Sequence, residues 1–312
     1  MRPLGNEGVR GTWGTVLLPI NADESIDYSR LTDEIDYMIT AKLEGLYTNG
    51  TAGEFHTQTE DEFDRISQTV AERCERAGMP FQLGVSHMSA QLSLERLQRA
   101  VQLRPSAIQV ILPDWVAVTD GEAEVFLRRM AEAAAPIGLV LYNPPHAKRV
   151  LVPAEIAALR RTVPSLVGVK LLDGDASWYA SSRHHLGGLS VFVPGHHLAT
   201  GVLHGAHGSY SNVACLSPMG ARRWFELMHD DILAAVAIER NLSTFLQHHV
   251  APLAAQGYSN PALDKLLAAI GGWAEIGTRL RWPYRSISED IVQRLAPVAR
   301  KLVPELFVDR EL

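Results

Sequence analysis

Short apolar runs alternate with longer amphipathic segments eight times in the first 230 residues. The runs are apolar throughout, which is typical of parallel strands that are covered on both faces of a sheet. They read GTWGTVLLPI, GLYTNG, FQLGVS, AIQVILP, GLVLYNPP, LVGVKLL, LSVFVPG and GSYSNVA. Eight strand–helix units in about 220 residues match a (β/α)8 barrel in number and in size. We therefore predict an α/β protein with the TIM-barrel fold.

The end of the alternation sets the predicted domain organisation. After Asp231 the apolar runs stop, and ILAAVAIERNLSTFLQHHV, NPALDKLLAAIGG and SEDIVQRLAPVARKLV have the period of helices. We predict a barrel with the active site in residues 1–230 and a helical C-terminal extension in residues 231–312. A doubly wound sheet is the alternative, but no G-x-G-x-x-G follows the first run, and such sheets seldom have eight regular units.

Composition excludes several classes of protein. Hydrophobic residues make up 46% of the 312 residues and charged residues 21%, with a formal charge of −6 and no basic run. This balance predicts no nucleic-acid partner and no membrane surface as partner. The two cysteines, Cys74 and Cys215, have no partner at metal-ligand spacing. Together with the absence of a signal-like or membrane-length apolar run, this predicts a cytoplasmic protein.

Unusual polar residues lie near the carboxyl ends of the predicted strands, where barrels of this type build their active sites. Tyr142 ends the fifth run, and Lys170 lies inside the sixth. A buried lysine is costly unless its pKa falls, and the resulting neutral amine can attack a carbonyl group. The alternative is an ammonium group that reaches solvent or pairs with Asp173 or Asp175. The residues alone leave both interpretations open.

Three motifs are found in order on the second, fifth and sixth runs: GTAGE, YNPP and GVK. With them the chain resembles the dihydrodipicolinate synthase / N-acetylneuraminate lyase family of class I aldolases, over almost its whole length. The resemblance implies that Lys170 forms a Schiff base with a pyruvate-type 2-oxo acid and that Tyr142 transfers protons. It also implies that Gly50, Thr51 and Ala52 receive the carboxylate of the 2-oxo acid, through backbone N–H groups and the Thr51 hydroxyl. No cofactor is then needed.

Some departures from the family pattern indicate a different second substrate. Ala52 replaces the second hydroxyl residue of the family loop. Asp114 and Trp115 stand where the synthases carry a tyrosine pair that completes a proton relay, and Ala147 stands where they carry an arginine. We therefore expect the chain not to be a true dihydrodipicolinate synthase.

Other departures concern the distal part of the substrate pocket. His196 and His197 follow Gly195 at positions where sugar-acid lyases use acidic residues, and the bulky Tyr210 lies on the last strand. With Trp115, these residues predict a pocket that is more aromatic and less acidic than in those lyases. Such a pocket favours an aromatic, apolar or anionic partner over a sugar chain.

The histidines also raise the question of a metal site. His196, His197, His204 and His207 lie close together in the sequence. Adjacent histidines point in different directions, and the last two are expected at the opposite rim of the barrel, so we predict no metal site and keep a metal-dependent aldolase only as an alternative.

These observations predict a lyase that cleaves or forms an aldol bond between a 2-oxo acid and an aldehyde through a lysine imine. A 2-oxo-3-deoxy sugar acid dehydratase that uses the same imine is an alternative, as is a paralogue that binds a 2-oxo acid without turnover. The resemblance further implies a homotetramer, a dimer of dimers, with Trp115 near the tighter interface.

Overall fold

Eight parallel strands close into a barrel in the computed structural model, which describes residues 1–307. Each strand pairs with the next, and β8 pairs with β1. The strands are β1 Gly11–Thr15, β2 Gly45–Thr48, β3 Phe81–Gly84, β4 Ala107–Ile111, β5 Leu139–Tyr142, β6 Leu166–Lys170, β7 Ser190–Phe192 and β8 Gly208–Tyr210. The predicted (β/α)8 barrel is thereby confirmed.

Helices follow the strands and cover the outside of the barrel. Their bounds are α1 Tyr28–Thr40, α2 Glu60–Ala77, α3 Ala90–Ala100, α4 Asp120–Ala134, α5 Pro153–Thr162, α6 Ala176–His185, α7 Leu198–Leu203 and α8 Asn212–Leu216. Capping residues fix several of their first turns: Thr59 and Thr119 each accept a backbone N–H from a glutamate three residues later, which returns the bond to the cap. These two caps set where the loops after β2 and β4 end.

Aromatic side chains fill the middle of the barrel. Trp13, Tyr47, Phe192 and Tyr210 form a buried cluster, and the Tyr210 hydroxyl donates to Oε1 of Gln82 at 2.8 Å. The Tyr47 hydroxyl donates in the same way to Gln109. Because buried hydroxyls are costly without partners, these two bonds let a polar aromatic layer serve as the floor of the cavity described below.

The C-terminal extension is helical, as predicted. The last helix before residue 231 is α9, Pro218–Asp230. The extension then consists of α10 Ile232–Phe245, a π-helical turn Leu246–Val250, α11 Ala251–Ala255, α12 Asn260–Gly271 and α13 Glu289–Leu302. The extension packs on the barrel through α12 against α8 and through α10 against α7 and α9. The border at residue 230 stays a prediction, and residues 308–312 of the predicted extension lie outside the described residues.

Within residues 1–307, no helix is long and apolar enough to span a membrane.

Candidate active site

Tyr142 and Lys170 are the last residues of two neighbouring strands. They are direct partners in the register of β5 and β6, so they lie at the same level at the carboxyl-terminal rim of the barrel. Nζ of Lys170 lies 4.0 Å from the centroid of the Tyr142 ring and 5.4 Å from that of Tyr210. The structure therefore brings together the two residues that the sequence paired.

Lys170 is half-buried and faces a cavity rather than the outer surface. Burial lowers its pKa to about 8, and the carboxylate of Asp264 opposes this shift. Neither of the two aspartates that the sequence offered as ion-pair partners of Lys170 fills that role. Asp173 pairs with His197, and Asp175 caps α6 through the Trp178 N–H. Near neutral pH, Lys170 thus has a much larger fraction of neutral amine than an exposed lysine has.

Tyr142 is buried beside Lys170. Burial raises the pKa of its phenol to about 12, and interaction with the Thr51 hydroxyl opposes the shift. The phenol is therefore protonated at neutral pH and can donate a proton or relay one to Thr51.

The loop after β2 contains three consecutive backbone amides that have no hydrogen-bond acceptor within the described residues. Within the described part of the chain, the N–H groups of Thr51, Ala52 and Gly53 make no hydrogen bond. The next two amides turn back on the loop, from Glu54 N to the Thr51 carbonyl at 3.1 Å and from Phe55 N to the Gly50 carbonyl at 3.3 Å. A side chain at residue 50 would collide with Tyr47, since a Cβ there would lie 2.2 Å from its hydroxyl. Free consecutive amides of this kind form an anion-binding concavity.

A cavity joins these elements and has two connected parts. The deep part has a volume of about 70 Å³ and the outer part about 490 Å³. Thr51, Ala52 and Cys215 line only the deep part, whereas His196, His197 and Gly195 line only the outer part. Six residues line both parts and form their junction: Tyr142, Lys170, Tyr210, Asn212, Asn260 and Asp264.

The sequence interpretation missed the contribution of the extension. Asn260 and Asp264 belong to α12, together with Leu263 and Leu267 of the outer wall. Their spacing of i, i+3, i+4 and i+7 defines one helical face, and this spacing is readable in NPALDKLLAAIGG. A helical pattern alone does not say that the face covers a barrel mouth, so the prediction that the barrel alone holds the site was incomplete.

A buried ion pair joins the loop after β2 to α12. Nζ of Lys265 lies 2.5 Å from Oε1 of Glu54, and the two side chains are 0% and 1% exposed. Lys265 also donates to the Arg279 carbonyl at 2.6 Å. Burial raises the pKa of Glu54 and lowers that of Lys265, and their mutual attraction opposes both shifts. The pair fixes the amide loop and the helix that carries Asp264 relative to each other.

The predicted histidine pair lies at the mouth of the outer cavity, where each ring has its own partner. Nδ1 of His197 donates to Asp173 at 2.7 Å, and this bond raises the pKa of His197. Burial lowers the pKa of His196 to about 4, so its neutral Nδ1 accepts from Nδ2 of Asn212 at 3.0 Å. This orientation leaves the buried Oδ1 of Asn212 without a partner among residues 1–307. The cavity therefore offers an unused acceptor and one polarised imidazole.

Trp115 does not lie in the cavity, which corrects the sequence prediction. Its side chain is 69% exposed, and the β4–α4 loop turns it outward so that Nζ of Lys148 lies 4.8 Å from its ring. Gly195 begins a 3₁₀ turn after β7, and Tyr210 is the last residue of β8. Trp115 is thus not part of the distal pocket, whereas Tyr210, His196 and His197 line it together with Asp264, a carboxylate that the sequence interpretation did not place there. That the pocket is more aromatic and less acidic than in sugar-acid lyases stays a prediction.

The two remaining histidines lie away from this cavity. Nδ1 of His207 accepts the Val191 N–H at 3.1 Å, and His204 stacks on Tyr179, both at the opposite rim as expected. In the portion of the chain that the structure describes, no group of three His, Cys, Asp or Glu side chains is placed to hold a metal ion.

The model of the dihydrodipicolinate synthetase family matches residues 8–302 of this chain. The chain therefore belongs to the dihydrodipicolinate synthase family, which includes the N-acetylneuraminate lyases and whose members are lyases. An uncharacterised DapA-like lyase of Halobacterium salinarum is 26% identical over 285 residues, 91% of this chain and 90% of the relative. The chain spans about half the length of curated 4-hydroxy-tetrahydrodipicolinate synthases that it matches, 56% for that of Macrococcus caseolyticus, at 27% identity over 54% of this chain.

Solved structures show the same fold at lower identity. YagE from E. coli K12, a prophage protein of the dihydrodipicolinic acid synthase family in complex with pyruvate, superposes with a TM-score of 0.83 at 21% identity, over 94% of this chain and 98% of YagE. The sialic acid aldolase of Ruminococcus gnavus has a TM-score of 0.84 at 17% identity, over 96% of this chain and 100% of the aldolase. At these identities the likeness shows the fold alone.

Proposed function

We propose that this protein is a class I aldolase that cleaves or forms a carbon–carbon bond in a 2-oxo acid through an imine with Lys170. The observation that carries the proposal is the half-buried lysine with a lowered pKa, beside Tyr142 and in one cavity with Thr51 and Ala52, whose backbone amides are unused. The complex of YagE with pyruvate supports the same class of substrate for this chain.

The loop after β2 would hold the carboxylate of the substrate. The amides of Thr51, Ala52 and Gly53 have no other partner, and Thr51 adds a hydroxyl. Ala52 supplies no hydroxyl, but its N–H remains, so the substitution removes one side-chain donor and keeps the backbone donor. With the carboxylate in the deep part, the 2-oxo carbon comes to the junction where Lys170 lies.

Imine formation would then proceed in two proton-coupled steps. The neutral amine of Lys170 attacks C2, so that the carbon–nitrogen bond forms and the carbonyl electron pair moves to oxygen, which takes the proton that the attacking nitrogen loses. The carbinolamine loses water, with Tyr142 giving a proton to the departing oxygen, and leaves the iminium. The phenol of Tyr142 is suited to this role because its raised pKa keeps it protonated.

The iminium would serve as the electron sink for the carbon–carbon bond. As the C3–C4 bond breaks, its electron pair forms the C2–C3 double bond and the imine pair moves to nitrogen. The phenolate that Tyr142 became in the dehydration step takes the proton of the C4 hydroxyl, so that the C4 fragment leaves as an aldehyde. The reverse sequence condenses the enamine with an aldehyde. The outer cavity would hold the aldehyde portion, with an apolar wall from α12 and hydrogen-bonding groups from His197 and Asn212.

Borohydride trapping tests this proposal. Incubation with pyruvate and borohydride should attach pyruvate to the peptide that contains Lys170, as read by intact mass and peptide mapping, with or without EDTA. Lys170→Ala should lose the adduct, and Lys148→Ala, which removes an exposed lysine outside the cavity, should keep it. Since the nucleophile is the neutral amine, the initial rate of trapping should rise with pH through about 8. An adduct on another lysine, or its loss with EDTA, would contradict the proposal.

A further inference from the structure

Asp264 is the one carboxylate among the residues that line either part of the cavity in the described chain. It lies at the junction of the two parts, half-buried, on the face of α12 that covers the barrel mouth. It interacts electrostatically with both Lys170 and Tyr142. A carboxylate therefore lines the same part of the cavity as Lys170 and Tyr142, where the substrate would react.

This side chain has no structural task that would explain its position. Within residues 1–307, the carboxylate of Asp264 makes no hydrogen bond and no ion pair, whereas the next residue, Lys265, is fully engaged. Placing a carboxylate in a cavity without a partner is unfavourable for folding. A carboxylate without a hydrogen bond or ion pair, on a helix that the neighbouring Lys265 fixes to the loop after β2, points to a ligand or a reaction.

The other titratable groups at the junction are already committed. Lys170 would be bonded to C2, and the protonated phenol of Tyr142 would serve the departing oxygen. The third, Tyr210, donates its hydroxyl to Gln82, and burial raises the pKa of that hydroxyl. Asp264 is left as the base of the junction.

The order of atoms along the substrate selects C3 as its target. A 2-oxo acid with its carboxylate on the amides of Thr51 and Ala52 has C2 at Lys170, and C3 is the next atom on the way to the outer cavity. The junction where C3 passes is lined by Asp264. Resting on the function proposed above, we propose that Asp264 is the general base and acid that moves the C3 proton between iminium and enamine.

The step balances without a further reactant. The Asp264 carboxylate takes a proton from C3, the C3–H electron pair forms the C2–C3 double bond, and the imine electron pair moves to the Lys170 nitrogen. The products are a neutral enamine and a neutral carboxylic acid. In the direction of cleavage, where breaking the C3–C4 bond gives the enamine, the Asp264 carboxylate first takes a proton from water and then gives it to C3, while the enamine electrons re-form the iminium.

The local electrostatics suit this role. Burial raises the pKa of Asp264 to about 6, and Lys170 opposes the shift. The group is therefore largely ionised at neutral pH, and it is a stronger base than an exposed carboxylate because its pKa lies closer to the working pH.

Exchange of the pyruvate methyl protons with D2O, followed by NMR, tests the assignment with pyruvate as the sole substrate. Asp264→Asn should slow the exchange at pH 7 by about 10²-fold or more, the scale of a lost acid–base group, while pyruvate is still trapped on Lys170 by borohydride. Wild-type exchange should rise with pH through about 6, and the variant should lack this limb. Asp175→Asn, the same change at an exposed helix cap, is the matched control and should exchange like wild type.

A second variant guards against a defect in folding. Asp264→Ala should recover exchange when formate is added, since a small carboxylate can occupy the vacated space. If Asp264→Asn exchanges as fast as wild type, or if trapping and exchange fall by the same factor in both variants, Asp264 is not the C3 base. If trapping and exchange fall by the same factor, Asp264 instead acts as a counter-ion of the imine. Absence of trapping in the wild type overturns the proposed function itself, and this inference with it.

Discussion

Lys170 was predictable from the sequence because its evidence is local. A charged residue inside an apolar run conflicts with burial, and a lowered pKa resolves the conflict. Burial lowers the pKa of Lys170 to about 8 against the opposing charge of Asp264, and no ion pair within residues 1–307 includes this lysine. Tyr142 was predictable for a similar reason, since neighbouring strands of a barrel end at one rim.

Asp264 and Trp115 show where residue-level prediction stopped. Asp264 is separated from Lys170 by 94 positions, and only the docking of α12 brings it to the cavity. Trp115 is on a loop, and loops can turn a side chain either way: here the Lys148 ammonium holds the ring outward and donates to its backbone carbonyl at 2.5 Å. Neither outcome follows from periodicity, because both depend on tertiary packing.

Tyr142→Phe and His197→Ala should affect different kinetic constants. Loss of the Tyr142 hydroxyl removes a proton donor at the reacting carbon, so kcat should fall by about 10²-fold or more while some imine still forms. His197 lines only the outer cavity, so its removal should act mainly on KM and on the ranking of aldol substrates. Steady-state kinetics over sugar-derived and aromatic 2-oxo acid aldols measures both. Loss of borohydride trapping in His197→Ala would contradict this division.

At the scale of elements, the period of the apolar runs was sufficient to predict eight strands and the helices between them. Runs such as AIQVILP became buried strands, and amphipathic segments became covering helices with their own caps. The extension was also predicted as helical. Its docking was not, because the contact that fixes α12 joins Glu54 and Lys265, and a pairing across 211 positions leaves no periodic signal.

The Glu54–Lys265 pair should show the energetics of a buried ion pair. Lys265→Met leaves the carboxylate of Glu54 buried and unpaired, so the free energy of unfolding should fall by about 3–5 kcal/mol. The double variant Glu54→Leu/Lys265→Met should lose clearly less, because it leaves no buried charge. Urea unfolding followed by circular dichroism measures both.

An exposed pair supplies the control for that measurement. Arg128 and Glu124 form an ion pair on the surface of α4, with side chains 53% and 36% exposed. Arg128→Met should change the free energy of unfolding by less than about 1 kcal/mol. Equal losses in Lys265→Met and in the double variant would contradict the importance of pairing.

At the scale of the whole molecule, the loop after β4 and the helix that follows it expose large apolar side chains. Trp115, Val116 and Val125 are 69%, 73% and 68% exposed, and an apolar groove of about 430 Å³ lies beside Val125 and Phe126. Exposed apolar surface of this extent marks an interaction site in many proteins. The homotetramer stays a prediction, and we propose this surface as the tighter contact between its subunits.

We expect light scattering at micromolar concentration to give the mass of four chains. Val125→Asp should shift the distribution towards smaller species, because it buries a charge in the proposed contact. Leu203→Asp, at an exposed apolar position on the opposite rim, is the comparison and should keep the wild-type mass. A wild-type monomer would refute the assembly, and an equal shift in both variants would place the contact elsewhere.

The ion pair between Glu54 and Lys265 also limits how members of this family can recombine. A crossover at residue 230 looks natural from the sequence, yet it would take the amide loop from one parent and the helix with Asp264 from the other. In such a chimaera, Glu54 and Lys265 would come from different parents, and so would the two sides of the cavity, so neither the buried ion pair nor the cavity walls would have been selected to fit together. Productive exchange should therefore move residues 50–54 and 260–265 together, as a single inherited block that is discontinuous in the chain.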